Sequence, residues 1–252
     1  KRDPIPLRMF NLSVLITDKF MEAVRNNNSW DLLFNEKIFK TISARELWNK
    51  SMHSTYEFAE PGVIFIDRIN NLNNLSYCEQ ISATNPCGEQ PLPPYGACLL
   101  GSINLAKLVK QPCEVDAYIN SKELSELVRT SVRMLDNVID ISRFPLPEQQ
   151  EEAHKKRRIG LGVTGLADAL IMAGVKYGSS EAVDLTETWM KNLRDTAYRE
   201  STQLAKEKGA FQLFDAEAYM KGPNIKSLPK DIQEDIREFG IRNALLTSIA
   251  PT

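Results

Sequence analysis

The sequence predicts an α/β fold whose strands run parallel, in an open sheet or one closed into a barrel. Two observations carry that prediction. Short apolar runs of strand length alternate with longer segments whose apolar residues recur at helical spacing, and turn-forming residues separate them. The composition permits it: 252 residues, 42% hydrophobic and 25% charged, can bury roughly 70–75% of the unfolded surface without disulfide staples.

Taken in order, Thr17 to Arg25 reads as a short helix with Phe20, Met21 and Val24 on one face. Ser43-Ala44-Arg45-Glu46 is a capping-box pattern that opens a helix through Tyr56. Gly62 to Asp67 is an apolar run after a Pro-Gly turn, the signature of a buried strand. A loop rich in Asn and Pro runs from Asn70 to Tyr95, and Ala97 to Leu108 reads as a strand leading into a turn. Ser121 to Ser142 carries Leu124, Leu127, Val128, Val132, Leu135, Val138 and Ile139 at helical spacing, with Pro145 and Pro147 behind it as breakers. A second long helix spans about Ser180 to Lys208 and closes at Gly209; a third, Lys230 to Phe239, stops at Gly240. Asn243 to Ala250 reads as a buried strand.

The formal net charge of −2 gives no general attraction to nucleic acid or anionic membrane. No apolar run approaches the roughly 20 residues that span a bilayer, and Lys1 to Pro6 lacks a signal-peptide pattern, so a cytoplasmic location is expected. There the four cysteines are expected to be thiols. His53 and His154 lie far apart without metal-ligand spacing, so no metal site is expected. A start without Met and a stop at Pro251-Thr252, directly after a strand-like run, suggest a piece of a longer protein.

Gly160-Leu161-Gly162-Val163-Thr164-Gly165 fits the dinucleotide pattern G-x-G-x-x-G, with Asp184 roughly twenty residues further on. That motif needs a hydrophobic strand before it to aim the loop at a pyrophosphate. Here Gln149 to Arg158 precedes it and cannot be a buried strand. We read the glycines as a tight strand-to-helix turn that requires small residues; a nicotinamide-dependent oxidoreductase is the alternative they leave open. The basic run Lys155 to Arg158, with Glu151 and Glu152 beside it and no interleaved aromatics, reads as a solvated helix end rather than a nucleic-acid patch.

The stretch richest in chemistry is Ala83 to Cys98. Pro86 and Gly88 flank Cys87, exclude a helix and suit a sharp turn or loop tip. On an extended backbone Asn85, Cys87 and Glu89, at i, i+2 and i+4, point to one side. An amide, a thiol and a carboxylate together can bind hydroxyls, move a proton and do sulfur chemistry. The same residues also fit a loop with a buried structural thiol and a helix-capping Glu.

The run Thr84-Asn85-Pro86-Cys87-Gly88-Glu89-Gln90-Pro91-Leu92, with Tyr95-Gly96-Ala97-Cys98 and Gly101-Ser102-Ile103-Asn104-Leu105, resembles the finger loop of ribonucleotide reductase catalytic subunits. Phe10 to Val14, Glu60 to Phe65, Arg158 to Val163, and Arg242 to Leu246 through Ala250-Pro251-Thr252 are similar to further blocks in the family's order. The resemblance implies that residues 1–252 are one incomplete piece of that family's barrel domain: the central portion of a ten-stranded α/β barrel, with the finger loop at about 83–98.

It also implies roles. Cys87 would carry a transient thiyl radical that takes the 3′-hydrogen of a ribonucleotide. Glu89 would be the base on the 3′-hydroxyl, and Asn85 would bind the substrate hydroxyls. Cys98 matches the second of two reducing cysteines; its partner would lie on a strand before this chain. Cys78 and Cys113 match no such position.

Ser248 to Thr252 resembles the start of the family's substrate-phosphate loop, which makes Pro251 and Thr252 phosphate-binding candidates. Lys1 to Arg8 fall where the family has its specificity loop. The radical must come from a cofactor: adenosylcobalamin, which the Asn-Pro-Cys-Gly-Glu-Gln-Pro-Leu-Pro-Pro-Tyr-Gly-Ala-Cys wording favours, or a separate metal-containing radical subunit. Expected partners are a thioredoxin-like or glutaredoxin-like reductant, nucleotide effectors and the remaining segments of the enzyme, as a homodimer when complete. The chain alone is expected to be inactive, and a non-catalytic regulatory fragment is the remaining alternative.

Overall fold

A computed structural model describes residues 10–251, which divide into two compact units meeting in sequence at Asn73 and Asn74. The first contains β1 (Ser13–Ile16), α1 (Asp18–Arg25), β2 (Ser29–Phe34), β3 (Lys37–Ser43), α2 (Ala44–Phe58), β4 (Gly62–Phe65) and α3 (Ile66–Asn71). Thr17 caps α1 by accepting from the Phe20 amide, and Ser43 caps α2 by accepting from the Glu46 amide at 3.3 Å. β1 and β4 pair in parallel from Ser13↔Gly62 to Ile16↔Phe65, while β2 and β3 form an antiparallel hairpin. The small core joins Ile16, Phe20, Ala23, Val24 and Ala44, with Trp30 set edge-on to Phe20. The expected strand after Pro61 is present but part-buried, and it ends at Phe65, where the chain turns into α3, rather than at Asp67.

The second unit begins with a small hairpin, β5 (Ala83–Thr84) and β6 (Pro91–Leu92). β7 (Leu99–Asn104) follows, then a 3-10 turn at Leu105–Leu108, and β8 (Val109–Lys110) with β9 (Tyr118–Ile119). After these come α4 (Ser121–Ile141), α5 (Pro147–Lys156), β10 (Ile159–Thr164), α6 (Leu166–Met172), α7 (Ser180–Lys208), α8 (Ala216–Tyr219), α9 (Pro223–Lys226) and α10 (Lys230–Phe239). β7 and β10 pair in parallel, from Leu99↔Ile159 to Asn104↔Thr164.

α4 packs on α7 and on the β7–β10 pair through the stripe read from sequence: Leu124, Val128, Val132, Leu135 and Ile139 are all buried. Each such side chain contributes about 1.5–3 kcal/mol on burial. Leu127 lies at the edge of the stripe and is exposed. Ser179 caps α7, which ends at Gly209, and α10 ends at Gly240; both glycines have positive φ.

Three sequence expectations need correction. Asn243 to Ala250 forms no regular strand. It follows β10, but the Ile159 and Leu161 amides donate to Leu245 and Leu246, consecutive carbonyls where a regular ladder would step by two, leaving one isolated bridge, Leu161↔Thr247. Gly160 and Gly162 do not form a turn, since they lie within buried β10, and only Gly165, in the left-handed conformation at φ 65°, makes the strand-to-helix corner. Of the basic run only Lys155 keeps access to solvent; Lys156, Arg157 and Arg158 are each 4% exposed. The fold is mixed α/β: β1–β4 and β7–β10 pair in parallel, as read, whereas β2–β3, β5–β6 and β8–β9 are antiparallel. Among the described residues its sheets are separate two-stranded pairs and no barrel closes.

Candidate active site

Asn85-Pro86-Cys87-Gly88 is a β-turn sequence, with Asn first, Pro second and Gly last. It folds as one: the Gly88 amide donates to the Asn85 carbonyl at 3.1 Å, with Gly88 at φ 87°. The Asn85 side chain reinforces the turn, its Oδ1 accepting from the Gly88 amide at 3.1 Å and the Gln90 amide at 3.0 Å. The Asn85 amide in turn donates to the Gln90 carbonyl at 3.2 Å, closing the loop above the β5–β6 ladder. The hairpin is thus stiffened by its own side chain, with Cys87 exposed at its tip. Because 85–88 is a turn, the extended alternation expected to align Asn85, Cys87 and Glu89 does not apply. Asn85 instead spends its oxygen inside the loop, leaving only its Nδ2 for a ligand.

Glu89 is half-buried, and its Oε2 is buried with no hydrogen-bond partner. Its main-chain carbonyl accepts from the Ser248 hydroxyl at 2.9 Å. Gln90 is buried, and its Nε2 likewise has no partner. Beneath them the glycines of β10 provide a notch. A Cβ on Gly160 would come within 2.8 Å of Gln90 Nε2 and 2.9 Å of Ser248 Cβ, and one on Gly162 would run into the Ser248 carbonyl. The space a pyrophosphate would need is filled by the chain itself, which removes the structural basis for a dinucleotide site at Gly160–Gly165.

Cys98 is part-buried just before β7. Burial pushes its thiol up to about 12; the Arg158 cation opposes the shift and the Glu89 carboxylate adds to it. Glu89 and Arg158 are therefore both close enough to act on this sulfur. Cys78 and Cys113 are exposed, and burial raises the Cys78 thiol.

Behind the site lies a buried ionic layer that the sequence reading missed. Arg158 Nη2 donates to Glu79 at 2.6 Å, and Lys156 Nζ lies 2.7 Å from Glu79 and 2.5 Å from Glu152. Arg157, left-handed at φ 51°, pairs with Asp136 at 2.8 Å and Asp140 at 2.7 Å. Asp136 also accepts from Asn243 Nδ2 at 3.0 Å and lies within ion-pair reach of Lys208 and Arg242. Burial alone would raise the Asp136 carboxyl, yet the Arg157 bond and charge, with Arg242 and Asn243, hold it below the usual carboxylate value. Glu152 is one helical turn from Lys156, but Glu79, Asp136 and Asp140 lie far from the basic run in sequence, so the run alone gave no sign of them.

At the C-terminal end of β10 a recess of about 380 Å³ is lined by Val163, Thr164, Gly165, Tyr177, Ile249 and Ala250, among others. Pro251 is exposed at its edge in sequence, while Thr252 and the segment Lys1 to Arg8 lie outside the described residues. Among the described residues no helix is long and apolar enough to cross a membrane.

A mixed α/β scaffold carries an exposed thiol on a braced hairpin, a carboxylate beside it and a second, part-buried thiol just before β7. The chain belongs to the ribonucleotide reductase family: the family model for the ribonucleotide reductase barrel domain matches residues 1–252. It is similar, at 40% identity over 99% of its length, to a protein of Mycobacterium tuberculosis named vitamin B12-dependent ribonucleoside-diphosphate reductase, 33% of which is covered. A protein of the same name from Thermoplasma acidophilum is 39% identical over 98% of this chain and 30% of its own length. A ribonucleoside-diphosphate reductase subunit alpha from Chlamydia muridarum is 31% identical over 86% of this chain, with 23% of that relative covered. The chain thus spans about a third or less of the curated relatives it matches.

Proposed function

We propose that this chain supplies the finger-loop portion of a ribonucleotide reductase barrel, reducing ribonucleoside diphosphates to deoxyribonucleotides. The observation that carries the reading is the braced hairpin, with Cys87 exposed at the tip and the unpartnered Glu89 carboxylate oxygen at its base. Closure into the ten-stranded barrel would use strands beyond the parallel pairs found here.

In this reading Cys87, as a thiyl radical, takes the 3′-hydrogen atom of the ribose and becomes a thiol. Glu89 Oε2 accepts the 3′-hydroxyl proton, and a desolvated carboxylate without competing donors suits that task. Asn85 Nδ2 donates to a substrate hydroxyl, the only direction its committed oxygen leaves open. The 2′-hydroxyl departs as water while Cys98 and a second thiol outside this chain lose two electrons and form a disulfide. Cys87 then returns the hydrogen atom to C3′ and is again a radical. Cys98 waits as the neutral thiol, which its burial favours.

Pro251 and Thr252 would open the substrate-phosphate loop. The diphosphate form and adenosylcobalamin follow the names of the mycobacterial and Thermoplasma relatives. Adenosylcobalamin supplies the one-electron oxidising chemistry that a thiol lacks. The donors around Cys87 fit presenting a thiol to that chemistry rather than holding the corrinoid, so no step above runs through it. A thioredoxin-like or glutaredoxin-like dithiol would reopen the disulfide, nucleotide effectors would regulate the whole enzyme, and the location would be cytoplasmic. The test is deoxyribonucleotide formation by the intact protein given a ribonucleoside diphosphate, adenosylcobalamin and a dithiol. Product that requires all three supports the reading, and its absence under every radical source and phosphate form overturns it.

A further inference from the structure

Arg158 is an unusual residue to find buried beside a redox thiol. β7 and β10 pair in parallel from Leu99↔Ile159. Continuing that register back by one residue sets Cys98 beside Arg158, on the face that also carries Leu100 and Gly160. Leu100 confirms the face, since its Cδ2 would meet a Cβ on Gly160 at 2.6 Å. The Arg158 cation opposes the rise that burial causes in the Cys98 thiol, which agrees with that register.

The guanidinium is also fixed. Its side chain is 3% exposed, Nη2 pairs with Glu79 at 2.6 Å, and Nη1 lies 3.6 Å from Glu152. Its Nε–H is buried and has no hydrogen-bond partner. A buried, unused N–H on a cation is a donor left for an anion, and two groups at this site lack a donor of their own: the Glu89 carboxylate oxygen and, once ionised, the Cys98 sulfur.

We propose that Arg158 is a positioning residue for Cys98: held by Glu79, it stabilises the Cys98 thiolate. The redox use of that thiolate rests on the proposed reductase reading. When an external dithiol reopens the disulfide, its thiolate attacks the partner sulfur, the S–S bond breaks, and the electron pair leaves on Cys98 Sγ. The second thiol of the reductant then closes its own disulfide, two electrons having passed to the cysteine pair, and Cys98 later takes up a proton. A leaving thiolate in a desolvated pocket would be slow to form without a cation. Glu89 faces the same sulfur and works against it, while Lys156 shares Glu79 and Glu152 with Arg158.

The experiment is isotope-coded iodoacetamide labelling of the intact protein, read at the Cys98 peptide by mass spectrometry from pH 7 to pH 10. It needs no turnover, so it stands or fails apart from the reductase reading. Arg158→Gln should label Cys98 about tenfold more slowly at each pH, the effect of losing one nearby cation, and Arg158→Lys should restore most of the rate. Glu152→Gln, which removes an acid that partly neutralises Arg158, should leave the rate equal or higher. Unchanged or faster labelling in Arg158→Gln, a Lys variant as slow as Gln, or a slowed Glu152→Gln would each overturn the proposal.

Discussion

The Ser248 hydroxyl donates to the main-chain carbonyl of Glu89 at 2.9 Å, and this bond ties the hairpin bearing Cys87 to the segment that follows α10. Asn85 braces the turn from within, and Ser248 fixes the hairpin from without. Ser248→Ala should cost about 1 kcal/mol, a typical net hydrogen bond. Amide exchange at 85–92 should quicken while α4 and α7 stay protected. Hydrogen-exchange mass spectrometry on the hairpin peptide checks this; unchanged exchange there would show that the bond does not hold the loop.

Gly162 is the tightest point of that attachment, because any Cβ there meets the Ser248 carbonyl. Gly162→Ala should lower stability by about 1–3 kcal/mol, the usual range for overpacking, seen as a fall in the denaturation midpoint. Gly174, with nothing within 4 Å of an added Cβ but φ at 71°, makes a useful comparison. Alanine there should cost only the backbone strain, without displacing residues 243–251.

Asp136 lies wholly buried among Arg157, Arg242, Lys208 and Asn243. Asp136→Asn leaves Lys208 and Arg242 without this acid and Arg157 with Asp140 alone, and should destabilise by about 3–5 kcal/mol. Its carboxyl is held below the unfolded value of about 3.9. Its contribution is therefore full above that value and is lost as pH falls through the lower folded value. Chemical denaturation of wild type and variant should give a gap that is constant near neutrality and narrows below about pH 4. A gap independent of pH would exclude ionised Asp136 as its source.

For the chemistry, Cys98→Ser in the intact enzyme should permit at most one turnover when dithiol carrier proteins are the only reductant. Repeated turnover would remove Cys98 from the reducing pair. Glu89→Gln should slow hydrogen abstraction by about 10²–10⁴-fold, the usual worth of a general base; a rate equal to wild type would dismiss Glu89 from that role.

Much of this arrangement was legible in the sequence. Asn85-Pro86-Cys87-Gly88 announces its turn, Ser179 and Gly209 bound α7, and the Leu124-to-Ile139 stripe marks the buried face of α4. These features depend on neighbours within a turn or two. What escaped depends on distant partners. Lys156, Arg157 and Arg158 look like a solvated run until Glu79 and Asp136 are brought to them. The notch at Gly160 and Gly162 looks like a turn until Ser248 and Gln90 fill it. The missed signal was the alternation Arg158, Gly160, Gly162, which puts a cation and two notches on one strand face.

The most direct measurement of the central claim is turnover of a 3′-deuterated ribonucleoside diphosphate by the intact enzyme, wild type against Cys87→Ser. The account expects deuterium to slow single-turnover reduction in the wild type and Cys87→Ser to yield no deoxyribonucleotide while still binding substrate. Deoxyribonucleotide formed by Cys87→Ser would contradict it.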